Sequence, residues 1–158
     1  MPCGLVATKL KSMSGSEIST LLSQRQQQLA PWLEIHDPQI RLARLVEEAR
    51  KHLPLEQALR TEAHRVEGCL VRVWFVSEFR AGHCVFRCDS DALTLKAVGG
   101  LLCELYSGLA PRQILAIEKG LLEPLRILHL LAENRQRTIA RIEDKIHGFA
   151  QVQAAIAE

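Results

Sequence analysis

Apolar residues recur at helical spacing through the first third of the chain. From Ser16, a candidate helix cap, this spacing predicts a helix that ends before Pro31. Asp37 followed by Pro38 predicts the start of a second helix, because aspartate caps a helix and proline suits its first position. The apolar face of this helix continues to Leu53, so two helices are expected before the pattern changes.

Strand-like alternation replaces the helical spacing in the middle of the chain. Residues 70–76 are rich in valine and aromatic side chains, and residues 83–88 alternate again after a polar turn at 77–82. This pattern predicts an antiparallel hairpin. The acids of residues 89–91 then suit the first turn of a helix that runs to about Tyr106.

Helical patterns fill the rest of the chain. Short helices are expected over 111–117 and about 123–131, and a last helix carries an isoleucine-rich stripe. Gly99-Gly100, inside the helix that follows the hairpin, indicates close backbone packing. The whole pattern predicts an α+β fold in which helices cover a small antiparallel, hairpin-based sheet.

Length and composition suit one domain. With 158 residues, of which 47% are apolar and 24% charged, the chain can bury a core of its own. We expect residues 1–15, which are serine-rich and carry two lysines, to form a flexible tail, and residues 16–158 to form the domain. Met13 is an alternative start of the protein, because a normal polar opening follows it.

The charge pattern argues against two classes of partner. A formal net charge of +2 is too small to favour nucleic acid or an anionic membrane surface. No apolar run approaches the ~20 residues of a membrane span, and no secretory signal is recognisable. We therefore expect a cytoplasmic protein.

The chain has five cysteines, namely Cys3, Cys69, Cys84, Cys88 and Cys103. An odd number, without a C-x-x-C pair or an export signal, favours reduced thiols over disulfides. A metal site that uses Cys84 and Cys88 with His83 and His64 is an alternative. It is disfavoured because the two cysteines would lie about 13 Å apart along a regular strand.

Cys69 is the thiol whose surroundings favour chemistry. It follows Gly68, where a tight backbone would leave the next side chain accessible. The nearby basic residues His64, Arg65 and Arg72 favour the thiolate, which is the reactive form of cysteine. A lone cysteine is also commonly a small buried apolar residue, and its immediate neighbours alone leave both interpretations open.

Short motifs around Cys69 recur in the order and spacing of a known family. Residues 65–74, RVEGCLVRVW, resemble the R-V-x-G-C-x-S-x-V-W stretch of the SufE/CsdE sulfur acceptors. Residues 89–92, DSDA, resemble that family's helix opening, and residues 106–115, YSGLAPRQIL, are similar to its Y-S-G-x-x-P-x-x-I-L element. Asn134-Arg135 fits the family's arginine near the start of the last helix, and the resemblance spans about residues 16–150.

This resemblance implies a SufE/IscU-like fold and a role in sulfur transfer for iron–sulfur cluster assembly. The protein would take persulfide sulfur from a pyridoxal-phosphate cysteine desulfurase (SufS/CsdA-like) on Cys69, stimulate that enzyme, and pass the sulfur to a scaffold protein. Arg135 would support the acceptor site, and Gly68, Arg72 and Asp91 would lie at the partner interface. The resemblance implies no cofactor of its own, because the pyridoxal phosphate belongs to the desulfurase.

The chain departs from the family pattern at several positions, which include Glu133 in place of a common proline. Val71 replaces a small hydroxyl residue two positions after the cysteine, and Cys88 replaces a glycine or alanine before Asp89. Residues 137–139, RTI, replace N-G-L in the last helix. Cys88 is therefore either a second thiol near the site or, by its residue type, a buried apolar residue.

Alternative functions stay open on the sequence alone. The basic residues Arg137, Arg141 and Lys145 share a helix face that is either solvated or a docking surface for an acidic partner. A cysteine hydrolase would need a histidine base near Cys69. A regulatory protein that binds the desulfurase without carrying sulfur, or a thiol- or metal-binding scaffold, is the alternative class of function.

Overall fold

Residues 13–157 are described by a computed structural model and form helices around a β-hairpin, which confirms the predicted α+β fold. The predicted tail lies mostly outside these residues, as does Cys3. In chain order the elements are α1 (Gly15–Leu33), α2 (Pro38–Arg50), β1 (Val73–Arg80), β2 (His83–Ser90), α3 (Leu93–Tyr106), α4 (Pro111–Ala116) and α5 (Glu133–Ile156). Single 3-10 turns occupy Gln57–Leu59, Glu62–His64, Glu123–Leu125 and Leu128–Leu130.

The hairpin is longer, and its turn tighter, than the alternation predicts. β1 and β2 pair antiparallel from Val73 opposite Ser90 to Arg80 opposite His83. The turn is the Ala81-Gly82 pair, with φ values of 50° and 83°, the left-handed conformation that such two-residue turns require. The predicted strand start at position 70 and the six-residue turn are therefore wrong, because alternation alone does not locate the ends of a strand.

β2 includes the acids that the sequence assigns to a helix start. The Asp89 side chain is buried, and its carboxylate accepts hydrogen bonds from the backbone N–H groups of Leu55 (3.0 Å) and Ser90 (2.8 Å). Helix α3 begins later, at Leu93, with Ala92 as its N-cap. The predicted helix cap is therefore wrong, because the Asp89 carboxylate satisfies a neighbouring loop and its own strand instead.

The two faces of the hairpin pack against different layers. On the inner face Phe75 stacks on Phe86 at 5.8 Å between ring centroids, and Phe149 of α5 meets Phe86 edge-on. This face belongs to the main core, with α3 and α5. On the outer face Trp74 and Val76 form a small second cluster with the loop that follows α2. Burial of both faces keeps the two-stranded sheet in place.

Helix α1 extends beyond its predicted bounds at both ends. Its N-cap is Ser14, two residues earlier than expected, and it continues through Pro31 to Leu33. The buried guanidinium of Arg41 explains the extension at the C-terminal end, since its Nε donates to the carbonyl of Trp32 at 2.8 Å. This carbonyl also accepts the N–H of Ile35 at 3.2 Å, so the arginine adds a second bond at the end of the helix.

Helix α2 begins as predicted and ends early. Asp37 is its N-cap, but the helix stops at Arg50, so Leu53 is 91% exposed instead of continuing the buried face. The helix expected over 123–131 is also wrong, since two 3-10 turns occupy that segment. Arg126 separates these turns with a left-handed φ of 54°, which a right-handed helix does not accommodate.

Helices α3 and α5 complete the core behind the hairpin. At Gly99 of α3 a Cβ would stand 2.8 Å from the sulfur of Cys88, which confirms the expected close packing at this glycine, whereas at Gly100 a Cβ would meet nothing within 4 Å. The buried face of α5 consists of Thr138, Ile139, Ile142, Ile146 and Ala150. Within residues 13–157 none of the helices has the length and apolar character needed to cross a membrane.

Candidate functional site

Cys69 lies on a loop, residues 67–72, that is tied at both ends. We call this segment the cysteine loop. Before it, the N–H of Val66 donates to the carbonyl of the first β1 residue at 2.8 Å. At its end, the carbonyl of Arg72 accepts a bond from the Ser90 hydroxyl at 2.8 Å. The loop therefore starts and finishes at fixed points although it has no helix or strand of its own.

The sulfur of Cys69 is half-buried and faces α5. Its Sγ lies 3.1 Å from the Thr138 hydroxyl oxygen and 3.8 Å from the Glu67 carbonyl. Thr138 is only 2% exposed, and its hydroxyl donates to the carbonyl of Asn134, one helical turn earlier, at 3.1 Å. The thiol thus rests against a polar group that the protein buries.

Arg141 of α5 holds the same loop from the solvent side. Its Nη1 donates to the Glu67 carbonyl at 3.0 Å. The guanidinium lies close to Gly68, whose φ of +77° is the left-handed conformation that glycine adopts without strain. Together with Asp144 and Lys145, these residues line an open depression of about 520 Å³ beside the loop.

The α5 residues that make polar contacts with the cysteine loop are Thr138 and Arg141, not Arg135, which the resemblance implies. Arg135 lies half-buried in the first turn of α5, and its supporting role stays a prediction. Of the basic face, Arg141 contacts the loop whereas Arg137 pairs with Glu133 at 3.4 Å. The sequence distinguishes Thr138 only as a departure from the family pattern. Its spacing of three residues from Arg141 is the sequence signal that the two side chains share a face of the last helix.

Arg72 and Asp91 form an ion pair where the cysteine loop meets β1. The Nε of Arg72 lies 2.6 Å from the Asp91 carboxylate, and Arg60 joins them at 3.4 Å. Both guanidiniums lie over the ring of Trp74, at 4.4 Å for Arg60 and 5.4 Å for Arg72. Gly68, Arg72 and Asp91 thus lie on or beside the loop, and their part in binding a partner stays a prediction.

The other described thiols are poorly suited to chemistry. Burial raises the pKa of Cys84 to about 11. Cys103 is also buried, and burial, with the neighbouring Cys88, raises its pKa well above the usual range. Cys88 packs against Gly99 and the core, which favours its interpretation as an apolar residue. These three cysteines and Cys69 are all free thiols.

Among the described residues the candidate metal ligands are not grouped, and His64 is engaged away from Cys69. Within residues 13–157 no three His, Cys, Asp or Glu side chains are grouped to hold a metal ion. Of the basic residues expected near the sulfur, His64 lies with its Nδ1 3.0 Å from the carbonyl of Leu59, and Arg65 pairs with Glu62 at 3.1 Å. Both are engaged with the preceding segment rather than with the sulfur of Cys69.

A second polar cluster joins α3 to α5. The Tyr106 hydroxyl donates to the Glu143 carboxylate at 2.8 Å and lies 3.2 Å from Nε2 of His147. Glu143 also accepts the N–H of Gly120 at 3.0 Å. Burial lowers the pKa of His147, whereas burial and then the Glu143 charge raise the pKa of Tyr106. This cluster fastens the helix that carries Thr138 and does not touch the cysteine loop.

The fold and the site together define a class of protein: a small thiol protein of α+β fold. Its thiol lies on a loop beside a helix-covered hairpin, and a buried hydroxyl and an arginine of α5 hold that loop against the helix. The chain belongs to the SufE family, because residues 26–150 match the family model described as an Fe-S metabolism associated domain. The description of the family connects this domain with iron–sulfur metabolism.

Two relatives illustrate how far the similarity extends. An uncharacterized SufE-like protein from Synechocystis sp. is 28% identical over 87 residues, which are 55% of this chain and 55% of that protein. The chain thus spans about half the length of that relative. The solution structure of a hypothetical protein from Thermus thermophilus matches 85% of this chain and 96% of its own, with a TM-score of 0.64 and 23% identity. At this identity the likeness shows the shared fold alone.

Proposed function

We propose that this protein is a persulfide sulfur carrier. Cys69 accepts sulfur from a pyridoxal-phosphate cysteine desulfurase, the protein thereby stimulates that enzyme, and the sulfur passes to iron–sulfur scaffold proteins. The observation that carries the proposal is a half-buried thiol on a tied loop, in contact with a buried hydroxyl. Family membership and the motifs around Cys69 support it. The carrier needs no cofactor, since the pyridoxal phosphate belongs to the partner.

The proposed step is a thiol–persulfide exchange. The Cys69 thiolate attacks the outer sulfur of the partner's cysteine persulfide, and a new S–S bond forms at Cys69. The S–S bond of the partner breaks, and the partner's cysteine leaves as a thiolate. The sulfur changes its carrier without any external oxidant or reductant. A thiolate of the recipient repeats the exchange at the Cys69 persulfide.

Transfer between two proteins requires the sulfur to turn outward from α5. The polar contacts between the loop and α5 are few: the Cys69 sulfur with Thr138, and the Glu67 carbonyl with Arg141. Leu70, next to the thiol, is already 86% exposed and offers an apolar group to a docking partner. The thiol is therefore sheltered at rest and released by breaking a small number of contacts.

Sulfide release from cysteine by a SufS-like desulfurase, with a reductant present, tests the proposal. We expect the wild-type protein to stimulate the enzyme and Cys69→Ser to have no effect. Before reductant is added, a gain of about 32 Da should map to the Cys69 peptide. Cys88→Ser is the matched control, because it removes a half-buried thiol that packs in the core, and it should still stimulate.

The same assay separates the alternative function. Equal stimulation by wild type and Cys69→Ser, with no added mass on Cys69, would identify a regulatory binder that carries no sulfur. Failure of the wild-type protein either to stimulate or to gain sulfur from a panel of such desulfurases would contradict both functions.

A further inference from the structure

We propose that Thr138 is a positioning residue for Cys69. At rest the Thr138 hydroxyl accepts a hydrogen bond from the thiol, and it donates a hydrogen bond to the sulfur when Cys69 is a thiolate or a persulfide. The link to sulfur transfer rests on the function proposed above. The hydrogen-bond exchange itself rests on the geometry of three atoms: the Cys69 sulfur, the Thr138 hydroxyl oxygen and the Asn134 carbonyl oxygen.

The Thr138 hydroxyl lies within reach of both other atoms. It is 3.1 Å from the Cys69 sulfur and 3.1 Å from the Asn134 carbonyl, and the threonine is 2% exposed. A hydroxyl has one proton to donate and two lone pairs that accept. While it donates its proton to the Asn134 carbonyl, it accepts a hydrogen bond from the S–H group of Cys69. The thiol, the hydroxyl and the carbonyl then all have hydrogen-bond partners.

Loss of the thiol proton changes which way the hydroxyl points. When the proton of Cys69 passes to solvent, the sulfur becomes an anion that only accepts. The Thr138 O–H then rotates from the Asn134 carbonyl to the sulfur. The carbonyl of Asn134 is not left without a partner, because within α5 it also accepts the main-chain N–H of Thr138. The thiolate therefore gains a charge-assisted hydrogen bond at little cost to the helix.

Position 71 shows why this hydroxyl matters in this chain. Within the cysteine loop, Val71 packs against the core and offers no hydroxyl to the sulfur of Cys69, two positions earlier. The hydroxyl that contacts the sulfur thus comes from α5 rather than from the cysteine loop.

A purely structural role for Thr138 makes a different prediction. Threonine within a helix commonly donates to the carbonyl four residues earlier, and this bond alone would satisfy its buried hydroxyl. In that case removal of the hydroxyl would affect the stability of α5 but not the ionisation of Cys69. The dependence of thiol reactivity on pH separates the two roles.

The test compares Cys69 alkylation by iodoacetamide across pH in the full-length wild type, Thr138→Ser and Thr138→Val. The plateau rate at high pH reports accessibility, and the pH of half-maximal rate reports how well the thiolate is stabilised. We expect the pH of half-maximal rate to be about one unit higher in Thr138→Val than in wild type, and Cys69 of this variant to react about tenfold more slowly near neutral pH. Thr138→Ser, which keeps the hydroxyl, should match wild type. Slow alkylation of Cys84 and Cys103 in the same digest confirms that each variant is folded.

An unchanged pH of half-maximal rate in Thr138→Val would overturn the proposal, as would an equal shift in Thr138→Ser. Thr138→Ala replaces the valine variant if that protein does not fold. Since alkylation needs no desulfurase, this outcome is independent of the sulfide assay. A thiolate-stabilising hydroxyl in a protein that gains no sulfur would refute the proposed carrier function and leave the role of Thr138 intact.

Discussion

The guanidinium of Arg141 occupies the space that a side chain at Gly68 would need. A Cβ built at position 68 would stand 3.0 Å from Cζ of Arg141. From there Arg141 donates to the carbonyl of Glu67, so the glycine and the arginine together fix the backbone just before Cys69. The glycine is required both for its left-handed φ and for this close approach.

Gly68→Ala is therefore expected to cost more than the same change at Gly82. Both glycines have left-handed φ values, +77° and +83°, and alanine there costs about 1–2 kcal/mol. Only at position 68 must Arg141 also move and release the Glu67 carbonyl, which adds about 1 kcal/mol. In an Arg141→Ala background the two substitutions should cost the same by urea unfolding. A difference that persists there would show that Arg141 is not its source.

Features that depend on neighbouring residues can be predicted from the sequence, whereas features that depend on contacts between distant positions cannot. The start of helix α2 at Asp37 is predictable because its cap and proline are adjacent in sequence, and Cys69 stands out by its neighbours and motifs. The contact of Thr138 is not predictable, because it joins positions 69 apart and a buried polar residue does not show in an apolar pattern.

The wrong boundaries have the same origin. The hairpin register depends on a turn whose first residue, Ala81, takes a positive φ that its type does not announce. The segment over 123–131 has helical spacing, but the left-handed Arg126 divides it. Asp89 has the composition of a helix cap, whereas its partner is the N–H of Leu55, 34 positions earlier. In each case a tertiary contact or one backbone angle overrides a local preference.

The neighbouring glycines of α3 should respond oppositely to alanine. A Cβ at Gly99 would stand 2.8 Å from the Cys88 sulfur and 3.3 Å from Cδ1 of Ile142, whereas at Gly100 it meets nothing within 4 Å. Gly99→Ala should destabilise the protein by about 1–3 kcal/mol through overpacking. Gly100→Ala should stabilise it by up to about 1 kcal/mol, because alanine is the better helix former. Equal effects in thermal unfolding would refute the packing at Gly99.

The two acids at the end of the hairpin should also differ. Asp89 is buried and accepts two backbone N–H groups, so Asp89→Ala leaves buried donors unsatisfied and should cost about 1–3 kcal/mol. Asp91 pairs with Arg72 and Arg60 near the surface, where ion pairs contribute little, so Asp91→Ala should change stability much less. Urea unfolding of both variants checks this order. A larger loss for Asp91→Ala would show that its ion pairs, not the Asp89 bonds, secure the hairpin end.

The stability of the protein should fall as pH drops below neutral, and His147 should account for part of the fall. Burial, reinforced by Lys119, lowers the pKa of His147 from 6.5, and the charges of Glu143 and Asp144 oppose this without reversing it. The unfolded chain therefore binds the proton first as pH falls through 6.5. Since stability decreases wherever the unfolded state binds more protons, the loss begins there and continues until the folded state is protonated as well.

Urea unfolding of His147→Gln between about pH 7.5 and 5 measures this contribution. The variant lacks the titrating ring, so its stability should fall less over this interval than that of wild type. His83→Gln is the matched control for the same substitution at an exposed position, because His83 lies exposed beside the hairpin turn. If His147→Gln and wild type lost stability in parallel as the pH falls, the protonation of the His147 ring would not be linked to folding. The carboxylates of Glu143 and Asp144 would then compensate the desolvation of His147 in full.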